Sequence, residues 1–427
     1  MLRNTASYFV EDITTYKQQM LNWCNRFSIC CFMNSHAYPD NYSRFDCLIA
    51  AGAITVFSPE KNILPQLTTF TQQHKDWLFG HISYDLKNNI EGLTSEHPDH
   101  IRFPLIFFFQ PETVISIKGN EVIIECIELI PTDIHQQIQQ EELTPNYSKK
   151  DKIALQSRIN KQQYIDTVRK LQQHILRGDC YEINFCQEFY AEQRTINPLQ
   201  VYQQLIDISP TPFAAYYKWN DTYALCASPE RYIKKDKDLL ISQPVKGTIK
   251  RNRNDKQADE ALKSTLLKSA KNKSENVMIA DLVRNDLSRI CIEGSVEVRE
   301  LFGVYTYPQV HQMITTIEGK VPVDISIADV FQATFPMGSM TGAPKHRVMQ
   351  LIDQYEKTNR GLFSGSVGYI TPQKNFDFNV IIRSIFYNQT IKYLNYFTGS
   401  AITIYANAES EYEECRLKAA AIESILT

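Results

Sequence analysis

The sequence predicts an α+β fold. Segments with strand character and segments with helical periodicity fall in blocks rather than in strict alternation, which argues against a doubly wound parallel sheet. Gly, Pro, Asn or Asp stands at or near most ends of the strand-like runs in the first half, as short antiparallel strands require. The second half carries long helical stretches between further strands.

In chain order, strands are expected over 45–57, 78–86, 101–109 and 114–130. The stretch 132–152 is rich in Gln, Glu and Lys, with Tyr147 its only aromatic, and reads as a linker or exposed excursion. It divides the chain into a strand-rich region, 1–150, and a second region, 151–427. Over 161–177, Tyr164, Val168, Leu171 and Ile175 follow a helical spacing, with Gly178 where the helix would stop. Strands follow at 180–190, 214–219, 224–227 and 239–243, then helices over 260–291 and 342–356. Strands at 363–370, 378–387 and 391–405 precede a final helix from about Glu411. No internal repeat or low-complexity tract interrupts the order.

Composition narrows the class of function. The 427 residues are 43% apolar and 22% charged, an ordinary globular balance. A formal net charge of −3 supplies no excess positive field, so neither nucleic acid nor an anionic membrane is expected as a partner. Arg3, Asn4, Glu11 and Asp12 interrupt the first sixteen residues, which therefore lack the apolar core of a signal peptide. The run 103–109 is too short to span a bilayer and reads as a buried strand. None of the ten cysteines forms a Cys-x-x-Cys pair. Buried free thiols in a reducing cytoplasm are expected, with neither zinc nor a disulfide framework.

Several residues look misplaced for a mere scaffold. Lys246 lies in Pro244-Val245-Lys246-Gly247-Thr248, just after an apolar strand; it is either a solvated strand end or a partly desolvated amine with a lowered pKa. Glu230, in Ser228-Pro229-Glu230, stands at a turn and by itself is ordinary. Glu411 and Glu414 are three apart and share one face of a helix's first turn. There they either complement the helix dipole or hold a hard cation such as Mg²⁺, with Glu275 of a second apolar helix as the matching carboxylate. Gly338-Ser339-Met340-Thr341-Gly342-Ala343-Pro344-Lys345 lacks the Gly-Lys-Ser/Thr ending of a nucleotide-binding P-loop, and what remains is a glycine-rich turn whose amides suit an anion. Arg383 is a cation in an apolar strand and needs a partner, either an internal carboxylate or an anionic ligand. Together these make a plausible pocket for a small dicarboxylate.

The ordered set of 244–248, 275–286, 338–345, Arg383 and 411–414 resembles the chorismate-binding enzymes, a family that includes the anthranilate, aminodeoxychorismate, isochorismate and salicylate synthases. The likeness covers roughly 159–426. Ser43-Arg44-Phe45-Asp46 and 80–85 resemble the amino-terminal region of the aminodeoxychorismate synthases. The resemblance implies a two-layered antiparallel β-sandwich flanked by helices, of the kind found in anthranilate synthase component I, with the site in a cleft between halves. Anthranilate and isochorismate synthases usually have alanine at the position of Lys246, whereas aminodeoxychorismate synthases have lysine. The implied activity is therefore amination of chorismate to 4-amino-4-deoxychorismate, the precursor of p-aminobenzoate. Lys246 would attack ring carbon 2 as the 4-hydroxyl leaves, assisted by Glu230 as acid, and ammonia would then displace the lysine. Glu275 and Glu414, supported by Glu411, would hold Mg²⁺ against the ring carboxylate. Arg383 and the amide near Ala401 would hold the enolpyruvyl carboxylate, with Gly247, Thr248, Ser339 and Thr341 lining the pocket.

The chain departs from the family pattern at Gln312, where many relatives have histidine, and at Phe363, where anthranilate synthases have tyrosine. It also departs at 399–402 and at Tyr405-Ala406. No Gly-x-Cys-x-Gly elbow is present, so a separate glutamine amidotransferase subunit is the expected ammonia source. The rival readings are anthranilate synthase component I, isochorismate synthase and a non-catalytic chorismate-binding regulatory subunit. The clustered charges speak against the last of these.

Overall fold

The strand Ile106–Lys118, a run of aromatic and β-branched residues, organises the rest of a computed structural model that describes residues 2–38, 42–143, 152–307 and 309–427. One edge of this strand carries Cys47–Phe57 along almost its whole length; the other carries Leu78–Ile82 at its start and Glu121–Cys126 at its end. The sheet therefore divides there into two arms. One continues from Cys47–Phe57 through Ile29–Asn34, Phe213–Trp219, Thr222–Ser228, Ser384–Asn388, Tyr393–Ile402 and Glu182–Ala191. The other continues from Leu78–Ile82 through Ser366–Ile370, Phe376–Asn379, Arg231–Asp236, Leu239–Gln243 and Val310–Lys320. Val245–Lys250 and Glu297–Thr306 flank Val310–Lys320. Every pairing is antiparallel.

The arms face each other across one apolar core, in which Phe79, Phe107, Tyr217, Tyr232, Phe378, Phe386 and Phe397 are all buried. His81 of one arm meets the Tyr217 hydroxyl of the other at 2.8 Å. Helices Ile13–Cys24, Pro131–Gln139, Pro198–Ile208 and Ala408–Leu426 cover the outside of the first arm. Lys161–Leu176 and Lys345–Tyr355 pack beside Glu182–Ala191. The expected α+β sandwich is the fold observed. Among the described residues no helix is long and apolar enough to cross a membrane.

Local departures have local causes. The polar stretch expected to be a linker begins as helix Pro131–Gln139, because Pro131 opens it and Ile134 and Ile138, four apart, are buried against the sheet. The boundary expected at residue 150 lies outside the described residues. The helix expected over 260–291 is two helices, Lys256–Lys268 and Ala270–Ser288, since Ser269 caps the second by accepting from the Asn272 amide. The helix expected from 342 starts at Lys345, because Gly342 and Ala343 pair with Ile183 and Glu182.

Candidate active site

Lys246 sits at a bulge. Val245 pairs with Ile314 and Thr248 with Gln312, so one strand carries an extra residue there. Gly247 supplies the left-handed φ of 93°, and a Cβ at that position would press on Asn272 and Leu266 at 3.1–3.2 Å. The Lys246 side chain turns inward, 13% exposed, and its Nζ donates to Glu182 Oε1 at 3.1 Å. The lowered pKa that burial alone would give is not what results. Desolvation pushes the amine down, but the carboxylates of Glu182, Glu275 and Glu230 outweigh it and hold the ammonium above its ordinary 10.5.

Glu230 lies in the turn between Thr222–Ser228 and Arg231–Asp236, its amide donating to Ser228 Oγ at 3.2 Å and its carbonyl accepting from the Val380 amide at 3.0 Å. Burial, leaving it 4% exposed, pushes its carboxyl up to about 7. The Ser339 hydroxyl, Lys246, the Val245 amide and Arg383 pull the other way, which places all four around it.

Arg383 is not inside a continuous strand as expected. The strand breaks between Phe376–Asn379 and Ser384–Asn388, and Arg383 takes a φ of 51°. Three tertiary hydrogen bonds force the break: Val380 N to the Glu230 carbonyl, Ile381 N to the Gly365 carbonyl, and Ser364 N to the Ile381 carbonyl. Burial lowers the Arg383 pKa and Glu230 opposes that, yet among the described residues the guanidinium makes no ion pair. Its charge lies within electrostatic reach of Glu230. Replacing Arg383 with Gln is expected to raise KM for an anionic substrate roughly 10- to 150-fold, the worth of about 1.5–3 kcal/mol for a charged hydrogen bond. A Michaelis series on the two proteins checks this, and an unchanged KM removes Arg383 from the binding set.

The turn Gly338–Met340 closes one wall. Asn184 ties it down, its side chain donating to the Ser339 carbonyl at 2.9 Å and its amide to the Thr341 carbonyl at 2.8 Å. Thr341 Oγ1 donates to the Met337 carbonyl at 3.2 Å, so that hydroxyl serves the turn rather than lining the pocket. Gly342, at φ 141°, must be glycine: any Cβ there would collide with the Glu182 carbonyl. Ala401, on Tyr393–Ile402, stands opposite Asn184, one strand from the turn. Thr248 stands opposite Gln312, a buried amide whose two polar atoms find no partner among the described residues. Phe363 is buried with its ring stacked on Phe397 at 5.0 Å.

Glu275 of helix Ala270–Ser288 converges with Glu411 and Glu414 of helix Ala408–Leu426, but around an ammonium. Lys271 Nζ lies 3.1 Å from Glu411 Oε1 and 3.8 Å from both Glu275 Oε1 and Glu414 Oε2. Burial pushes Glu275 up, opposed by Lys246 and Lys271. Burial also raises Glu414, but Lys418, Lys271 and Lys246 outweigh it and hold that carboxyl low. Among the described residues no group of three His, Cys, Asp or Glu is drawn close enough to hold a metal ion as it stands. The donors are nevertheless hard oxygens, and Glu275 Oε1 is buried without a hydrogen-bond partner, as a set fit for Mg²⁺ requires.

Lys246, Glu230, Ser339, Arg383, Glu275 and Glu414 thus lie within reach of one another, with Glu411 joined through Lys271. Ala401 and Thr248 are placed by strand register alone, and the Thr341 hydroxyl bonds within its own turn. Glu182, Asn184 and Lys271 were not anticipated. Glu182 had a readable signal, being an acid in the apolar strand Cys180-Tyr181-Glu182-Ile183-Asn184-Phe185, which is the same reasoning that singles out Arg383.

Similarity to known proteins bears on the family and the fold. A family model described as chorismate binding enzyme matches residues 34–424. A chloroplastic aminodeoxychorismate synthase of Arabidopsis thaliana is 40% identical over 61% of this chain and 28% of its own length. Aminodeoxychorismate synthase component 1 of Salmonella typhimurium is 37% identical over 61% of this chain and 57% of its own. The chain therefore spans less than two thirds of either relative. The crystal structure of anthranilate synthase component I from Streptococcus pneumoniae superposes with a TM-score of 0.77 at 22% identity, covering 90% of this chain and 93% of that one, a likeness of fold.

Proposed function

This chain belongs to the chorismate-binding enzymes, and from that premise we propose that it aminates chorismate at carbon 4, yielding 4-amino-4-deoxychorismate for p-aminobenzoate and folate synthesis. One observation carries the reading: an inward lysine, Lys246, lies among Glu182, Glu230 and Glu275. In the proposed route the Lys246 amine bonds to ring carbon 2, both ring double bonds shift by one position, and the carbon 4–oxygen bond breaks. Glu230 donates the proton that lets the hydroxyl leave as water. Ammonia then bonds to carbon 4, its surplus proton passes to the lysine nitrogen, and the carbon 2–lysine bond breaks as both double bonds return. Glu275 and Glu414, with Glu411 behind them, would hold Mg²⁺, whose charge would fix the ring carboxylate. Arg383 would hold the enolpyruvyl carboxylate, and a separate glutamine amidotransferase in the cytoplasm would supply the ammonia.

The test is incubation of the purified chain with chorismate, Mg²⁺ and ammonium, with product identified by mass before and after addition of a pyruvate-releasing lyase. Aminodeoxychorismate, converted to p-aminobenzoate only when the lyase is present, is the expected result. A fluorescent anthranilate product made without the lyase overturns the reading.

Its pH dependence follows from the two charged partners. The reactive form needs Glu230 protonated and Lys246 neutral, whereas the resting pair is the reverse, with Glu230 titrating at about 7 and Lys246 above 10.5. Below pH 7 both groups hold a proton and one must be lost, so kcat/KM for chorismate climbs tenfold per unit. Above 7, gain of free lysine and loss of protonated Glu230 cancel, and the profile is flat. At constant free ammonia, kcat/KM is expected to bend near pH 7; a profile that falls above 7 contradicts the assignment of acid and nucleophile. The same carboxyl affects the fold. Holding its proton more tightly than in the unfolded chain, it stabilises below about 4.5, and that contribution is lost as pH rises through about 7.

A further inference from the structure

We propose that Lys271 is a resident counter-ion, holding Glu275, Glu411 and Glu414 together without metal and swinging into solvent when a divalent cation takes its place. The inference rests on the reading of these carboxylates as the Mg²⁺ site. Glu411 is 2% exposed, and Lys271 Nζ reaches it at 3.1 Å while standing 3.8 Å from each of the other two. Glu275, 8% exposed, leaves its Oε1 without a hydrogen bond, a buried oxygen aimed at the same point. Three carboxylates this close repel unless a cation lies between them.

Lys271 is not there for its own helix. It occupies the first turn of Ala270–Ser288, the end where a positive charge is unfavourable. Its side chain is 55% exposed, so it can leave without disturbing the core. A magnesium ion bound by these oxygens would sit about 2.0–2.1 Å from them, which leaves no room for an ammonium between the same atoms. The site therefore has two alternative occupants, and the protein's own charge sets the threshold for the second.

Calorimetric titration of the metal-stripped full chain with MgCl₂ tests this without turnover. Lys271→Gln is expected to bind Mg²⁺ roughly tenfold more tightly than the unmodified chain at low salt, the advantage shrinking as salt is added. Lys271→Arg, which keeps the charge, is expected to stay within about twofold, and Glu275→Gln to lose most binding. Should Lys271→Gln fail to fold, acylation of surface amines in the unmodified chain decides: Mg²⁺ should raise labelling of Lys271 several-fold. Affinity unchanged or weakened in Lys271→Gln, or labelling unmoved by Mg²⁺, overturns the proposal. If Glu275→Gln still loses binding, the metal site stands while the counter-ion role falls. No Mg²⁺ binding by either the unmodified chain or Lys271→Gln removes both.

Discussion

On the proposed route, replacing Lys246 with alanine is expected to lower kcat for chorismate amination on the order of 10⁴-fold, because the proposed nucleophile is lost. The substitution also leaves Glu182 buried beside nothing, with its second oxygen already unpartnered. A carboxylate in that position takes up a proton or weakens the fold. Stability and chemistry can be separated with the double variant Lys246→Ala, Glu182→Gln, which removes the buried charge along with its partner. It should unfold close to the unmodified chain in urea and still fail to turn over chorismate at saturating ammonium. Single-variant activity within tenfold of the original would mean that the amine is not the attacking group.

A larger loss of stability is expected at Arg360, which no sequence signal separates from other surface-type arginines. It is fully buried. Its guanidinium donates to both oxygens of Glu356 at 2.9 and 2.6 Å, to the Met340 carbonyl at 2.7 Å and to the Asn184 carbonyl at 2.8 Å. Those last two carbonyls belong to the turn and strand that form one wall of the site. Arg360→Met removes these four charged hydrogen bonds and a fifth, to Ser364 Oγ at 3.3 Å, and leaves Glu356 an uncompensated buried charge, which costs about 3–5 kcal/mol. Adding Glu356→Gln should recover much of this, since a glutamine oxygen can still accept the Cys186 amide that Glu356 now accepts at 2.9 Å. Urea unfolding of the single and double variants measures both effects. A single-variant cost below about 1 kcal/mol would show that the network is not what holds the turn.

The fold was legible where local pattern and tertiary environment agree. The strand over 239–243 and the helix starting at Lys161 lie where periodicity puts them. Helix Ile13–Cys24 is hidden from sequence, because its buried Tyr16, Met20, Leu21, Trp23 and Cys24 sit in a half otherwise dominated by strand-forming residues. At the site, residue identity was legible and state was not. Lys246 was readable as a misplaced amine, but its raised pKa depends on three acids drawn from distant segments, which no local window contains. The break at Arg383 was hidden because Val380, Ile381 and Ile382 all favour strand, and only hydrogen bonds to Glu230, Ser364 and Gly365 undo it. Lys271 was hidden differently, as one lysine among Lys268, Lys271 and Lys273 at a polar helix start.

The dividing of the sheet at Ile106–Lys118 makes the two ends of the chain mutually dependent. Ile29–Asn34 shields the flank of Phe213–Trp219, and Leu78–Ile82 shields that of Ser366–Ile370. A shortened protein beginning beyond residue 151 would bare both of those apolar margins at once, inviting other chains to dock where its own beginning had been. The opening third is thus less an appendage than the seal on the rest of the sheet.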